Sequence, residues 1–308
     1  MLTGANINQT AGKVIANNFG MRAVTGINVN SATNDVTLLA ANNSGAGTIV
    51  YQDANALTVG TVTASGNFTP TTVGVTSRGL AGDNITITTG GLLTVNNNID
   101  ATNAGTTLNT VGLTNNATIR GLDGIIGVSV NAGTGTLTNN SLITNNSTAS
   151  PIKLLADDMD LVGGGGTITA GSGLVTLSSS TLGQSINIGA GATALGLSQN
   201  EINTVHTTGQ LTIGGSTHTG TITVDGNANI NNATAQTFLI QNQGGIVVNA
   251  QLTANAVGGP TINMDTPGSI TGNPVSGLIT ADSYTIIQSG GIGSVAAPLK
   301  TNVNKLTA

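Results

Sequence analysis

Three carboxylates, Asp157, Asp158 and Asp160, crowd one short stretch and make the densest charge in the chain. Carboxylates in such a cluster suit Ca²⁺, but that ion takes ~6–8 oxygen ligands, and no second acidic cluster or EF-hand spacing accompanies them. The calcium-binding nonapeptide of other β-helices requires Gly-Gly-x-Gly-x-Asp, and neither the glycines at 163–166 nor those at 90–91 are followed by the Asp. Calcium at Asp157, Asp158 and Asp160 stays open, and no metal or cofactor is assigned. His206 and His218, the only histidines, stand near Glu201 and Asp225 in sequence, residue types that pair in acid–base or metal chemistry. No metal-ligand spacing and no nucleophile motif goes with them, so the sequence predicts solvated turn residues, no catalytic residue and no enzyme.

Weaker candidates follow the same course. A polysaccharide-cleaving β-helix would set carboxylates and a cation on adjacent rungs; Arg120 and Asp123 come nearest, and Arg-Gly-Leu-Asp reads better as a turn and is not the integrin tripeptide. The four glycines at 163–166 precede neither a Lys-Ser/Thr pair nor a helix, so they predict a loop or bulge, not a phosphate cradle. Thr-x-Thr phrases at 61–63, 86–88, 167–169 and 221–223 could order water as ice-binding proteins do, yet their uneven spacing fits an ordinary solvated β surface. Sequons such as those at Asn67 and Asn146 arise by chance in a chain this rich in Asn and Thr.

What must position these residues is a short strand phrase that keeps returning: Asn-Ile-Thr-Ile-Thr at 84–88, Leu-Leu-Thr-Val at 92–95, Ser-Ile-Asn-Ile-Gly at 185–189, Thr-Ile-Thr-Val at 221–224 and Thr-Ile-Asn-Met at 261–264. Aliphatics set against Thr, Asn or Gly, bounded by turn formers, predict stacked strands and tight turns. A unit of this kind cannot bury its apolar face alone, so the recurrence predicts an all-β solenoid. Coils of about 20–24 residues would give roughly 13–15 turns and a rod on the order of 60–70 Å at ~4.8 Å per rung. Alternation puts Ile222 and Val224 inward, and Thr221, Thr223 and Asp225 outward. One passage departs from the rhythm: Ser198 and Glu201 have the spacing of a helix capping box, predicting one helical turn between coils near 198–205.

Composition agrees. Of 308 residues only 6% are charged and 2% aromatic, while 45 are Gly, so the core must be thin and aliphatic. With net charge −5 and seven scattered basic residues, no phosphate-neutralising patch forms and nucleic acid is excluded as a partner. No cysteine is present, which removes disulfides and thiolate chemistry. No apolar run reaches the ~18–20 residues of a membrane helix. Without a linker or charge run to divide it, 1–308 reads as one continuous array.

Several phrases in order carry a likeness: 151–161 (Pro-Ile-Lys-Leu-Leu-Ala-Asp-Asp-Met-Asp-Leu), 167–177 (Thr-Ile-Thr-Ala-Gly-Ser-Gly-Leu-Val-Thr-Leu), 197–202 (Leu-Ser-Gln-Asn-Glu-Ile) and 209–214 (Gly-Gln-Leu-Thr-Ile-Gly). Together with 291–299, 34–41 and 51–60, they resemble a module repeated in giant bacterial surface proteins of the filamentous haemagglutinin type. The resemblance covers most of the chain. It implies a right-handed parallel β-helix, passage through outer-membrane export machinery, location outside the cell or on its surface, and adhesion to host-cell, matrix or other bacterial surface molecules or a part in biofilm. The amino-terminal secretion domain of such proteins is not recognisable, since Asn273-Pro274-Val275-Ser276 departs from its Asn-Pro-Asn-Gly motif, and the chain reads as an internal fragment of a longer polypeptide. The competing expectation is a polysaccharide-processing or ice-binding module on the same scaffold.

Overall fold

The computed structural model describes residues 1–122, 125–145, 149–190, 195–230, 235–254 and 259–308. The chain winds as an all-β parallel solenoid of about 12 turns with almost no helix. Each regular coil lays down three short strands separated by corner turns, as Ile85–Thr89, Leu93–Val95 and Ile99–Ala101 do, before Thr106–Asn109 begins the next coil. We call the faces built by these successive strands one, two and three.

Face one keeps one inward column along its length, with a register shift only past it, between Met264 and Asp265. Ile7, Ile27, Ile49, Ile85, Thr106, Val128, Ile152, Val175, Leu211, Phe238, Ile262 and Tyr284 stand in one inward column, each paired in parallel with the next. These side chains join one apolar cluster that runs along the solenoid, each fully buried aliphatic contributing roughly 1.5–3 kcal/mol against the entropy of its coil. The one polar member of the column, Thr106, is fully buried and donates to the Arg120 carbonyl at 2.7 Å, so its hydroxyl is not stranded. Aromatics are few but all go inside: Phe19, Tyr51, Phe68, Phe238 and Tyr284 are buried. Tyr51 keeps its hydroxyl satisfied by donating to Asp53 at 2.8 Å, and burial, then that carboxylate, push the phenol well above its usual value.

Coil length explains why there are about 12 turns where 20–24 residues per coil predicts more. Most face-one steps are short, such as Ile85 to Thr106 and Thr106 to Val128, but Ile49 to Ile85 and Val175 to Leu211 each take 36 residues. The first long coil carries an antiparallel pair, Thr61–Val62 with Thr72–Val73, whose Phe68 packs on Ala40 and Val62 outside the main core. Gly20 lies under that ring, where a Cβ would collide with it.

The second long coil doubles back. On face two the hydrogen-bonded order is Leu195–Ser198, Ile186–Gly189, Ile222–Val224, so the earlier strand lies between two later ones. Gly189, at φ +84°, ends that strand where a Cβ would run into the Gly226 carbonyl. The expected helical turn is present as Gln199–Asn203, with both hydrogen bonds of the Ser198–Glu201 capping box, but it lies inside this coil and not between coils. The glycine tract at 163–166 makes one 3₁₀ turn, Gly163–Gly165, at a corner. Ile222 and Val224 point inward, and Thr223 and Asp225 outward, as alternation requires.

Candidate functional site

The acidic cluster does not converge. Asp157 sits at a corner and accepts from Ser179 Oγ at 2.8 Å, Thr181 N at 2.7 Å and Thr181 Oγ1 at 2.5 Å. Burial pushes its carboxyl up, but these hydrogen bonds and that of Ser180 N outweigh it and hold the group below the usual carboxylate value. Asp158 and Asp160 flank inward Met159 on face two, where Asp158 accepts from Thr136 Oγ1 at 3.0 Å and Asp160 from Gly163 N at 3.2 Å. The three are thus spent on separate sets of neighbours, and among the described residues no group of three metal-ligating side chains comes together.

The histidines are set apart too. His206 faces outward on face three, in register with Thr169, whereas His218 is 1% exposed at the corner between faces one and two. Glu201 pairs with neither: it is buried in its capping box, and its Oε1 accepts from Leu161 N at 3.3 Å across the seam where the face-two ladder is interrupted. Asp225 is exposed and accepts from Asn249 at 3.3 Å. Neither ring nitrogen of His218 has a hydrogen-bond partner; the Gln184 backbone lies beside the ring without reaching hydrogen-bond geometry. Burial pushes this imidazole below its usual value, so it is held neutral. The sequence expectation of a solvated turn residue is therefore corrected for His218, because the corner loops close over it.

Arg120 has a partner that sequence proximity concealed. Its neighbour one rung away is Asp100, gripped at 2.7 Å by Nε and 2.5 Å by Nη2 in a partly buried bidentate pair. Asp123, like Asn146, lies outside the described residues. The Thr-x-Thr phrases fall on separate surfaces: 86–88 on face one, 167–169 on face three, 221–223 on face two and 61–63 at the antiparallel pair.

Face one carries a long outer groove. Outward residues Thr107, Ser129, Lys153, Thr176, Thr212 and Leu239 stand in one register column, about 24 Å long over five rung steps of ~4.8 Å. At one end lies a hollow of about 380 Å³, floored by Thr176, Thr212 and Leu239 and walled by corner residues that include Ser180, Leu182 and His218. A second hollow of about 350 Å³, walled by Ile125, Ile126 and Pro151, adjoins it, and the two share Lys153, Leu174 and Thr176. Thr212 and Leu239 face outward yet are only 4% and 8% exposed, because the corner loops overhang them. The unbroken apolar run Phe238-Leu239-Ile240 was the signal for this shelter, since a bare β surface would alternate.

No protein-family model, curated protein or solved structure matches the chain. The class of protein defined here is the parallel β-solenoid. No helix among the described residues is long and apolar enough to cross a membrane.

Proposed function

We propose that this chain is a length of shaft from a large secreted or surface-anchored bacterial adhesin, working through reach, stiffness and broad contact with host-cell, matrix or other bacterial surface molecules. The supporting observation is the face-one ladder, which runs in register from Ile7 to Tyr284 around a single apolar core. A solenoid of this kind transmits position over its whole length while each coil contacts only its neighbours. In this reading no side chain turns over a substrate, and export uses the outer-membrane machinery that the resemblance implies. The test is made on the bacterium that carries the gene. An antibody against the chain should label intact cells, and in-frame removal of the segment should lower adhesion to host cells or biofilm mass. Labelling only after lysis, or unchanged contact after removal, would overturn the proposal.

A further inference from the structure

The outer groove of face one is a built concavity that a shaft does not need, and the geometry points to a binding site there for a linear, carboxylate-bearing polysaccharide lying along the rod axis. This goes beyond the shaft reading and does not depend on it. Shape is the first argument. The column from Thr107 to Leu239 is straight, about 24 Å long at ~4.8 Å per rung, and sheltered at one end by the loops that bury Thr212 and Leu239. An extended polymer fits such a trough, whereas a compact small molecule would use only one hollow.

Charge is the second. In a chain of net charge −5, the exposed Lys153 stands on the groove floor where the two hollows meet, and it is the only charged side chain among their described lining residues. His218, the other titratable group there, is held neutral. An anionic group on the ligand therefore meets a cation on the floor, while the Asp157 carboxylate behind the wall is taken up by Ser179 and Thr181, and salt weakens the attraction because the lysine is exposed.

Surface chemistry decides between classes of anionic polymer. Hydroxyls and carboxamides at Thr176, Ser180, Gln210 and Gln241 both donate and accept, as sugar hydroxyls do, while the exposed Leu174 and Leu182 offer an aliphatic patch to sugar C–H faces. An acidic peptide would ordinarily gain its affinity on a sheet by adding a strand, but the face-one backbone is already paired with neighbours on both sides. The groove thus suits the glycan better than the peptide.

Binding is measured with the 308-residue chain, its fold checked by circular dichroism, against hyaluronan oligosaccharides, neutral pullulan oligosaccharides and polyglutamate. Hyaluronan should bind best, more weakly as salt rises. Lys153→Gln should weaken it about threefold to tenfold, as should Thr176→Glu, which places a carboxylate on the floor, while the exposed Lys13→Gln changes nothing. Equal binding by wild type and Lys153→Gln, preference for polyglutamate, or no binding of hyaluronan would each overturn the site. The shaft reading is judged separately on intact cells, so either can fail without the other.

Discussion

His218 shows most directly what folding does to a titratable side chain here. The imidazole is 1% exposed with no hydrogen-bond partner, and burial lowers its proton affinity. The unfolded chain takes up a proton near pH 6.5, the folded one resists it, and stability is therefore whole above that pH and lost as the pH falls below it. The melting temperature should accordingly drop between pH 7 and pH 5, and His218→Leu should flatten that dependence; equal slopes for the two proteins would contradict a buried neutral imidazole. Asp157 works at lower pH: its carboxyl is held below the usual value, so its contribution is present above ~4 and disappears as the pH falls through the folded value. Ile222 tests the core. Ile222→Asp would bury an unpaired charge at a site that is fully enclosed, and a loss of about 3–5 kcal/mol, read as early cleavage in limited proteolysis, is expected. Protease resistance equal to that of the parent would refute the inward placement.

At the scale of the element, the corners are held by asparagines stacked from coil to coil. Asn115 donates to Asn139 at 2.8 Å, and both are fully buried; Asn140 donates to Asn116 and Asn116 to Asn96, at 2.8 and 2.9 Å, but this second ladder is exposed. Asn139→Ala strands the buried Asn115 amide and should cost about 1–3 kcal/mol, whereas Asn116→Ala, beside water, should cost no more than about 0.5 kcal/mol. Urea denaturation of the two variants would show the difference, and equal losses would mean that burial is not what gives the inner ladder its value. The strands themselves were legible, because alternation at 221–225 and the spacing of Ser198 to Glu201 have only one sensible local structure. The ladders were not: Asn serves equally in a turn and in a buried stack, and only the neighbouring coil decides which. Nor was the groove legible beyond the run Phe238-Leu239-Ile240, since Lys153 looks in sequence like any scattered basic residue and gains its setting from rungs more than 20 residues away.

For the whole molecule, about 12 turns at ~4.8 Å per rung give a rod of roughly 58 Å, in which each coil depends on its neighbours. The doubled-back strand at face two is the exception to this nearest-neighbour rule. Pulled from its carboxy-terminal side, the rod should unzip coil by coil, each releasing about 8–9 nm of contour length at ~3.6 Å per residue. Unzipping then meets Leu195–Ser198, which follows Ile186–Gly189 in the chain but lies on its far side in the sheet. That strand has to be sheared out from beneath a neighbour still docked. Approached from the other end, Ile186–Gly189 is itself clamped between Leu195–Ser198 and Ile222–Val224. A single-molecule force trace should therefore contain two steps of about 13 nm, one for each 36-residue coil, and the step that frees the Val175-to-Leu211 coil should come at higher force than the rest. Uniform rupture forces along the trace would show that the crossed order has no mechanical effect. The same crossing makes the rod a ratchet under load: tension that strips one end is arrested midway, and the remaining coils stay folded.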